Sequence, residues 1–418
     1  MGWLPLFFTS HRSRVTSDDL RVTNKRGAAS DCSTAYPLIE LSSDKTNPLI
    51  EKTGNQKNGR PWFLWSKKMC KKITSVLVSA AILLFFVFTG GCIVINPLNN
   101  FVAWVVGDVD DAGKAMLLFS GDNGETWTRQ GLDVLPAGVQ LVNVLAIDRE
   151  QVWAVGSQGL VLRTADGGTN WEKIAVTGAD AGGNFLCISI FQNKIWISGE
   201  AGMIISSEDN GQNWTGYDLP DDAKEYIIQG IFAINDDVIY AVGNKPMPPN
   251  AGLVLRTLDG GSTWEEIELN NNYNDNGWIG VTATDPDHVV IYGGRGHYVV
   301  TANAGKQWVT GGPLSSRDIN SLVMLDHANY WAACDYDSII RTRDSGISWK
   351  DQPSAGTSNS FLVGIAALNQ NNALITGQSA GYPFFGKVLK TSDGGKNWKV
   401  VYTSDVNLVK VTIAKKFR

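Results

Sequence analysis

Short apolar runs alternate with turn residues along most of the chain after residue 100. The clearest unit contains the runs 141–147 (LVNVLAI), 152–156 (VWAVG), 159–164 (GLVLRT) and 171–176 (WEKIAV). Because runs of this length bounded by turn residues predict strands, each unit is expected to form four. We label them A to D in chain order and expect strand A to line a central channel. Strand B recurs at 195–199 (IWISG), 238–243 (VIYAVG), 289–294 (VVIYGG), 330–334 (YWAAC) and 373–377 (ALITG).

An eight-residue motif, Ser/Thr-x-Asp-x-Gly-x-x-Trp, separates strands C and D. It occurs seven times, with its acidic positions 41 to 50 residues apart. A repeat of about 40–50 residues built from strands is typical of a β-propeller. The acidic positions are Asp122, Asp166, Asp209, Asp259, Asn303 (Asn in place of Asp), Asp344 and Asp393, and the tryptophans are Trp127, Trp171, Trp214, Trp264, Trp308, Trp349 and Trp398.

Each copy of the motif has the composition of a tight turn that stabilises the fold. The Asp carboxylate can accept hydrogen bonds from backbone N–H groups of its own turn. The glycine two residues later suits a backbone position with positive φ. The tryptophan offers a large apolar surface to neighbouring structure. Seven near-identical copies cannot all be one active site, so we interpret them as structural.

The two ends of the repeat region complement each other. Residues 101–107 (FVAWVVG) match a strand B that no strand A precedes, and residues 408–414 (LVKVTIA) match a strand A that no strand B follows. We therefore predict an all-β, seven-bladed propeller of four-stranded antiparallel blades, with a first blade built from 101–130 plus 408–414. This pairing would close the ring and remove open sheet edges.

The first ninety residues lack the repeat. Residues 1–68 are polar and predict a disordered extension, and Met69 is a candidate for the true start. Residues 69–91 have two lysines followed by an apolar centre, the layout of a signal peptide. The ending TGGC resembles a bacterial lipobox, which would make Cys92 a lipid anchor. An uncleaved membrane anchor and a simple cleaved signal remain open, and all three put the propeller (92–418) outside the cytoplasm, in the periplasm or at the cell surface.

The net charge and the positions of the cysteines and histidines restrict the classes of partner and site that the sequence predicts. Residues 92–418 carry 23 basic and 35 acidic residues, a net charge of −12. This balance argues against nucleic acid as a partner. Cys187 and Cys334 are expected in different blades, too far apart to bridge. His288, His297 and His327 are expected in separate blades or loops, so no metal site and no cofactor are predicted.

The loops on one face of the propeller are the candidate partner-binding site. A–B and C–D turns share one face of antiparallel blades, and the longer B–C and D–A connections share the other. Exposed aromatic residues on variable loops of a rigid scaffold favour binding. A repeated basic position before the motif (Arg163, Arg256, Arg341 and Lys390) is interpreted as packing. The candidate face comprises Met247, Tyr273, Trp278, Arg295, His297, Tyr336, Tyr382, Phe384 and Phe385.

The motifs are the Asp-box, or BNR repeat, and the fuller pattern 153–171 (WAVGSQGLVLRTADGGTNW) resembles the photosystem II assembly and stability factor family. The resemblance covers about residues 101–414. It implies an exported seven-bladed propeller that acts as an assembly chaperone and binds membrane-protein intermediates. The acidic balance departs from a basic partner-binding surface.

The sequence is compatible with three hypotheses for the function. The preferred hypothesis is a non-catalytic, membrane-tethered scaffold that binds protein partners. The first alternative is a glycoside hydrolase, since Asp108, Glu200, Asp335 and Asp337 fall in B–C turns and glycosidases need two carboxylates about 5–10 Å apart. The second is a carbohydrate-binding or adhesion module, which keeps a glycan open as a partner.

Overall fold

The computed structural model describes residues 100–416, except 179–181, 221–222, 224, 246–251, 270–276, 313, 315–316, 354–359 and 380–384. Over these residues the chain forms seven four-stranded antiparallel sheets. Each innermost strand contacts the innermost strand of the next sheet, and the seventh contacts the first. The predicted seven-bladed propeller is confirmed. The predictions for residues 1–99, including the lipidation of Cys92, fall outside the described part.

The blades follow the chain order, and their strands run from the channel outwards. Blade 1 contains β28 (Leu408–Lys415), β1 (Phe101–Val109), β2 (Ala115–Ser120) and β3 (Thr128–Arg129). Blade 2 contains β4 (Leu141–Ala146), β5 (Val152–Gly156), β6 (Val161–Thr164) and β7 (Glu172–Ile174). Blade 3 contains β8 (Phe185–Phe191), β9 (Lys194–Gly199), β10 (Ile204–Ser207) and β11 (Thr215–Gly216). Blade 4 contains β12 (Ile227–Ala233), β13 (Ile239–Asn244), β14 (Gly252–Thr257) and β15 (Glu265–Glu266).

The remaining blades repeat this order. Blade 5 contains β16 (Trp278–Ala283), β17 (His288–Gly293), β18 (Tyr298–Ala302) and β19 (Val309–Gly311), with a short 3-10 helix at Gly294–Gly296. Blade 6 contains β20 (Ile319–Met324), β21 (Tyr330–Cys334), β22 (Ile339–Thr342) and β23 (Lys350–Asp351). Blade 7 contains β24 (Ser360–Ala367), β25 (Ala373–Ser379), β26 (Gly386–Thr391) and β27 (Lys399–Ser404). Within the described ranges, no helix has the length and apolar character needed to cross a membrane.

The two ends of the propeller close the ring as the sequence predicts. Strand β1 pairs antiparallel with β28, from Phe101 opposite Lys415 to Gly107 opposite Leu408. Strand β1 therefore has a partner on both sides, since β2 pairs along its other edge. Closure removes an edge that would otherwise pair with another chain.

A β-bulge recurs near the start of every inner strand, where one extra residue lies opposite the end of strand B. The bulge explains why strand B so often ends in glycine. A Cβ on Gly156 would lie 1.9 Å from the carbonyl oxygen of Gln140, and one on Gly199 would lie 2.2 Å from that of Asn184. A side chain cannot fit at these positions without moving the backbone of the inner strand.

The hydrophobic core is divided among the interfaces between blades. Seven buried clusters are present in the described chain, and each combines residues of two neighbouring blades. Four of the seven clusters contain a fully buried tryptophan from strand B, namely Trp104, Trp153, Trp196 and Trp331. Cys187 and Cys334 lie in β8 and β21 and are free thiols, as expected from their separate blades.

Candidate functional site

The motif turns use their carboxylates internally. In blade 4, Asp259 Oδ1 accepts hydrogen bonds from the hydroxyl of Thr257 at 2.8 Å and the backbone N–H of Thr263 at 2.8 Å. Asp259 Oδ2 accepts a third from the Thr263 hydroxyl at 2.7 Å. These hydrogen bonds lower the pKa of Asp259 to about 2. Both oxygens of this carboxylate are committed to the turn, as the structural interpretation expects.

The glycine of the motif has a positive φ in all seven copies. It also lies against the preceding blade. A Cβ on Gly261 would come within 2.8 Å of the Trp196 ring, and one on Gly395 within 2.7 Å of the Trp331 ring. Both backbone conformation and interblade packing therefore select glycine. Asn303 keeps the acceptor role of the aspartate, since its Oδ1 accepts the backbone N–H of Gln307 at 2.9 Å.

The motif tryptophans take part in the same interblade packing. Trp331 on strand B of blade 6 meets Trp398 of blade 7 edge to face, with ring centroids 5.7 Å apart. Trp196 of blade 3 meets Trp264 of blade 4 in the same way at 6.1 Å. Pairs in this geometry stabilise by about 0.5–1.5 kcal/mol beyond their buried area. The tryptophans thus join blades to one another.

The repeated basic position on strand C also joins blades. The Arg341 guanidinium lies over the Trp331 ring, 4.3 Å from its centroid, and donates to the carbonyl oxygens of Gln370 and Gly394 in blade 7, at 3.0 Å each. Arg256 donates to the carbonyl of Ala304 in blade 5 at 2.8 Å. These contacts support the packing interpretation over a basic stripe for a partner.

Three members of the predicted partner face lie at the surface. Tyr336 is in the B–C turn of blade 6, where its side chain is 54% exposed and its ring lies 5.9 Å from that of Phe361 in blade 7. Phe385 precedes β26 and is 38% exposed. Arg295 is exposed in the B–C connection of blade 5, and its backbone N–H donates to Asp318 Oδ1 at 2.7 Å. We call Arg295, Tyr336 and Phe385 the loop-face residues.

Two other members lie in the interior, so the expectation that they are exposed is wrong. Trp278 is 1% exposed because it is the first residue of β16, equivalent to the buried Leu141 and Ile319. His297 is 7% exposed because it directly precedes strand C, at the position that the buried Leu160 occupies in blade 2. Aligning the repeats at these two positions would have indicated their burial. Met247, Tyr273, Tyr382 and Phe384 lie outside the described residues.

The four carboxylates considered for glycoside hydrolysis are each engaged in local hydrogen bonds. Asp108 accepts from the Asn407 amide at 3.0 Å, Glu200 from the Asn184 amide at 2.9 Å, and Asp335 from the Asn320 amide at 2.8 Å. Burial raises the pKa of Asp108 and of Asp335. Glu200 belongs to blade 3, whereas Asp108 and Asp335 belong to blades 1 and 6.

The fourth carboxylate, Asp337, forms a buried ion pair that the sequence does not predict. Its Oδ1 accepts a hydrogen bond from Lys387 Nζ on β26, and Lys387 also donates to Ser360 Oγ at 2.9 Å. Lys387 is 1% exposed, and burial lowers the pKa of its ammonium group. The pair links the B–C turn of blade 6, at the residue after Tyr336, to blade 7. It fixes the turn that presents Tyr336.

A cavity of about 980 Å³ lies between blades 3 and 4 on the opposite face. Its walls are polar and carry Glu208, Asp236 and Lys194 together with the motif residues Asp209 and Asp259. Asp209 and Asp259 are held by their own turns, and the pKa of each is lowered to about 2. Neither has the raised pKa that a general acid requires near neutral pH.

One group of side chains in the described residues has the composition of a metal site. Asp285 lies in the A–B turn of blade 5, His288 begins β17 directly after it, and His327 lies in the A–B turn of blade 6. Their ligand atoms all lie within 4.8 Å of one another. The sequence placed His288 and His327 in separate blades and therefore apart. They are neighbours because equivalent turns of consecutive blades lie side by side.

Comparison with known proteins identifies the family. Residues 134–224 match the family described as photosynthesis system II assembly factor YCF48. The chain is 30% identical over 287 residues to the photosystem II assembly protein Ycf48 of Thermosynechococcus vestitus, covering 66% of this chain and 75% of that protein. The chain belongs to the YCF48 family. The resemblance inferred from the Asp-box repeats is thereby confirmed.

Two solved structures share the fold of this YCF48-family propeller. YCF48 from Cyanidioschyzon merolae superposes with a TM-score of 0.53 at 18% identity, covering 69% of this chain and 95% of that chain. A YCF48 structure described as bound to D1 peptide superposes with a TM-score of 0.50 at 18% identity, covering 71% and 84%. At this identity the similarity establishes the fold alone.

Proposed function

We propose that this YCF48-family propeller is a non-catalytic scaffold that binds a protein partner, a membrane-protein intermediate, through its B–C and D–A loops. The main support for this proposal is that the chain belongs to the YCF48 family. A related YCF48 is described as bound to D1 peptide, so a propeller of this fold can hold a peptide. Recognition of a peptide segment is the mode we propose for this chain.

The loop-face residues support this assignment. Tyr336 and Phe385 offer exposed aromatic surface, and Arg295 adds a cation. Tyrosine, phenylalanine and arginine are enriched in the cores of protein interfaces. The buried pair of Asp337 and Lys387, adjacent to Tyr336 in the sequence, ties this turn to blade 7. A turn fixed before binding loses little conformational freedom when the partner arrives.

The local engagement of the loop carboxylates supports a non-catalytic role. A glycosidase needs one carboxylic acid and one carboxylate about 5–10 Å apart across the scissile bond. Asp108, Glu200 and Asp335 each accept a hydrogen bond from the side-chain amide of a neighbouring asparagine, and Asp337 is paired with Lys387. Each carboxylate is thus part of a local hydrogen-bond network, and this supports the non-catalytic assignment.

We further propose that the propeller is extracytoplasmic and tethered to the membrane by its N-terminal segment. Residues 69–91 combine lysines with an apolar run and are followed by Cys92. Mass spectrometry of the mature chain tests the tether, since diacylglycerol on an N-terminal Cys92 supports lipidation. A mature chain that retains residues 69–91 without lipid would instead support the uncleaved anchor.

Co-purification tests the binding function. The chain is crosslinked in solubilised envelope, purified, and compared with Tyr336→Ala and with Ile347→Ala as a control. Ile347 is 87% exposed in a motif turn on the opposite face, so its loss removes a comparable apolar contact away from the proposed site. We expect Tyr336→Ala to lose a specific membrane protein that the wild type and Ile347→Ala retain. Repeated recovery of no partner by the wild type would contradict the proposal.

A further inference from the structure

Two imidazole rings from adjacent blades converge on one carboxylate. Asp285 lies in the A–B turn of blade 5, His288 is the first residue of β17 after that turn, and His327 lies in the A–B turn of blade 6. The rings of His288 and His327 are stacked, with centroids 3.8 Å apart and an interplanar angle of 13°. The contact bridges two blades on the face opposite the loop-face residues.

The two oxygens of Asp285 share the imidazole of His288 but differ in their other partners. Asp285 Oδ1 accepts the backbone N–H groups of Asp287 at 2.9 Å and His288 at 3.0 Å, which caps the turn. Asp285 Oδ2 lies 2.6 Å from His327 Nε2 and 3.1 Å from His288 Nδ1. His288 Nδ1 also lies 2.9 Å from Oδ1, so Oδ1 holds the turn and contacts one imidazole, whereas Oδ2 contacts both.

The turn itself does not require this second set of contacts. The equivalent turns of blades 4, 6 and 7 are capped in the same way by Asn235, Asp326 and Asn369. In blade 7 the residue equivalent to His327 is Gln370. An amide oxygen thus suffices for the cap, and a glutamine is tolerated beside it. The carboxylate and the two histidines of blades 5 and 6 need another explanation.

We propose that Asp285, His288 and His327 bind one divalent cation of the zinc class and so join blade 5 to blade 6. Two imidazole nitrogens and one carboxylate oxygen are ligands that Zn²⁺ prefers. Zinc binds such atoms at about 2.0–2.2 Å, so tetrahedral ligands stand about 3.3 Å apart. The separations of Asp285 Oδ2 from the two imidazole nitrogens, 2.6 and 3.1 Å, need to open by less than 1 Å, and one ring must turn out of the stack so that both nitrogens face the ion.

The surroundings suit a site of three protein ligands with one open position. Asp285 and His288 are half-buried and their backbone is fixed by the turn, whereas His327 is exposed. Solvent therefore has access to the fourth position of the cation. Because the ligands come from two blades, the site forms only in the folded ring, and binding must favour the folded state.

Zinc titration of the full-length chain in detergent tests the proposal. Calorimetry with ZnCl₂ is compared between the wild type and three variants: Asp285→Asn, His327→Gln and the control Asp287→Asn. The first two variants introduce the residue types that blade 7 has at the equivalent positions, Asn369 and Gln370, so each turn is expected to keep its cap. Asp287→Asn removes the same charge from the same turn, at an exposed residue outside the cluster.

We expect the wild type and Asp287→Asn to bind one more zinc ion per chain than Asp285→Asn and His327→Gln, or to bind it at least tenfold more tightly. Zinc should also raise the melting temperature of the wild type and of Asp287→Asn, but not of the other two. The difference between variants removes any contribution from cysteines elsewhere in the chain. Identical isotherms and melting shifts in all four proteins would overturn the proposal and leave the cluster as a hydrogen-bond network.

Discussion

Lys390 Nζ in blade 7 lies 2.5 Å from Glu125 Oε1 in blade 1, although the two residues are 265 positions apart in the sequence. Lys399 Nζ contacts the other oxygen of Glu125 at 2.7 Å. The hydrogen bond from Lys390 is the main reason that the pKa of Glu125 is lowered. This contact lies at the seam where the ring closes, beside the pairing of β1 with β28. Lys390 is the strand C position that Arg341 occupies in blade 6, and at both positions a basic side chain contacts the next blade.

Because β28 closes the ring, we predict that a negative charge at a buried position of this strand destabilises the protein far more than one at an exposed position. Val411 is 2% exposed and lies opposite Val105. Val411→Asp buries an unpaired carboxylate, so we expect a loss of several kcal/mol, about 3 or more, in the free energy of unfolding. Urea denaturation measures it. The control Lys415→Asp changes an exposed residue of the same strand and should shift the free energy by less than about 0.5 kcal/mol. Equal effects would contradict closure through this strand.

The contact between Trp331 and the motif glycine of the next blade gives a second prediction. Gly395 has a φ of +82°, and its added Cβ would lie 2.7 Å from the ring. Gly395→Ala should therefore reduce the free energy of unfolding by about 2 kcal/mol or more, combining backbone strain with the displacement of Trp331.

Gly182→Ala is the matched control, since its Cβ would meet nothing within 4 Å. Thermal unfolding followed by tryptophan fluorescence compares the two variants. A Gly395→Ala protein that melts with the wild type would show that the interblade contact does not constrain this position.

We predict that replacing Arg341 reduces stability far more than replacing its neighbour Arg343. Arg341 is buried and donates to two carbonyl oxygens of blade 7, whereas Arg343 is exposed. Because hydrogen bonds from charged groups contribute about 1.5–3 kcal/mol each, Arg341→Ala should destabilise by about 3 kcal/mol or more. Arg343→Ala should change stability by less than about 0.5 kcal/mol. Chemical denaturation of both variants checks this. Similar losses for both would point to net charge rather than interblade bonding.

The motif turns predict that stability falls in acid. Hydrogen bonds lower the pKa of Asp209 and of Asp259 to about 2 from the ordinary value of 3.8. Between about pH 4 and pH 2 the unfolded state therefore binds protons that the folded state does not. The stabilisation is complete above this window and is lost as the pH falls through it.

Replacing Asp259 with asparagine removes one titrating group and keeps one acceptor oxygen, as Asn303 does in blade 5. The unfolding midpoint of Asp259→Asn should depend less steeply on pH between 4 and 2 than that of the wild type. A steeper dependence in the variant would contradict this origin of acid sensitivity. Urea midpoints measured across this range provide the comparison.

Much of the fold follows from the sequence because the repeat fixes both the local and the global structure. The motif sets the turn between strands C and D, its period sets the number of blades, and the unmatched ends at 101–107 and 408–414 predict the closure. The pattern also predicts the interblade role of the tryptophans. Each of these features depends on residues close in sequence or on their regular recurrence.

Side-chain arrangement within the blades was harder to predict. Trp278 begins β16 and His297 directly precedes β18, and their burial is evident only when they are aligned with Leu141 and Leu160 of blade 2, respectively. The pairing of Asp337 with Lys387 and the stacking of His288 on His327 depend on which side chains face each other between blades. A repeat count gives the neighbouring blade but not this orientation.

Position-specific photocrosslinking tests the binding face most directly. A photoreactive amino acid replaces Tyr336 in one variant and Ile347 in another, and each is illuminated in native membranes. Both residues are highly exposed, but they lie on opposite faces of the propeller. We predict that a membrane protein crosslinks to position 336 and not to position 347, with the partner identified by mass spectrometry. Crosslinks that form only at position 347, or equally at both, would contradict the proposed face.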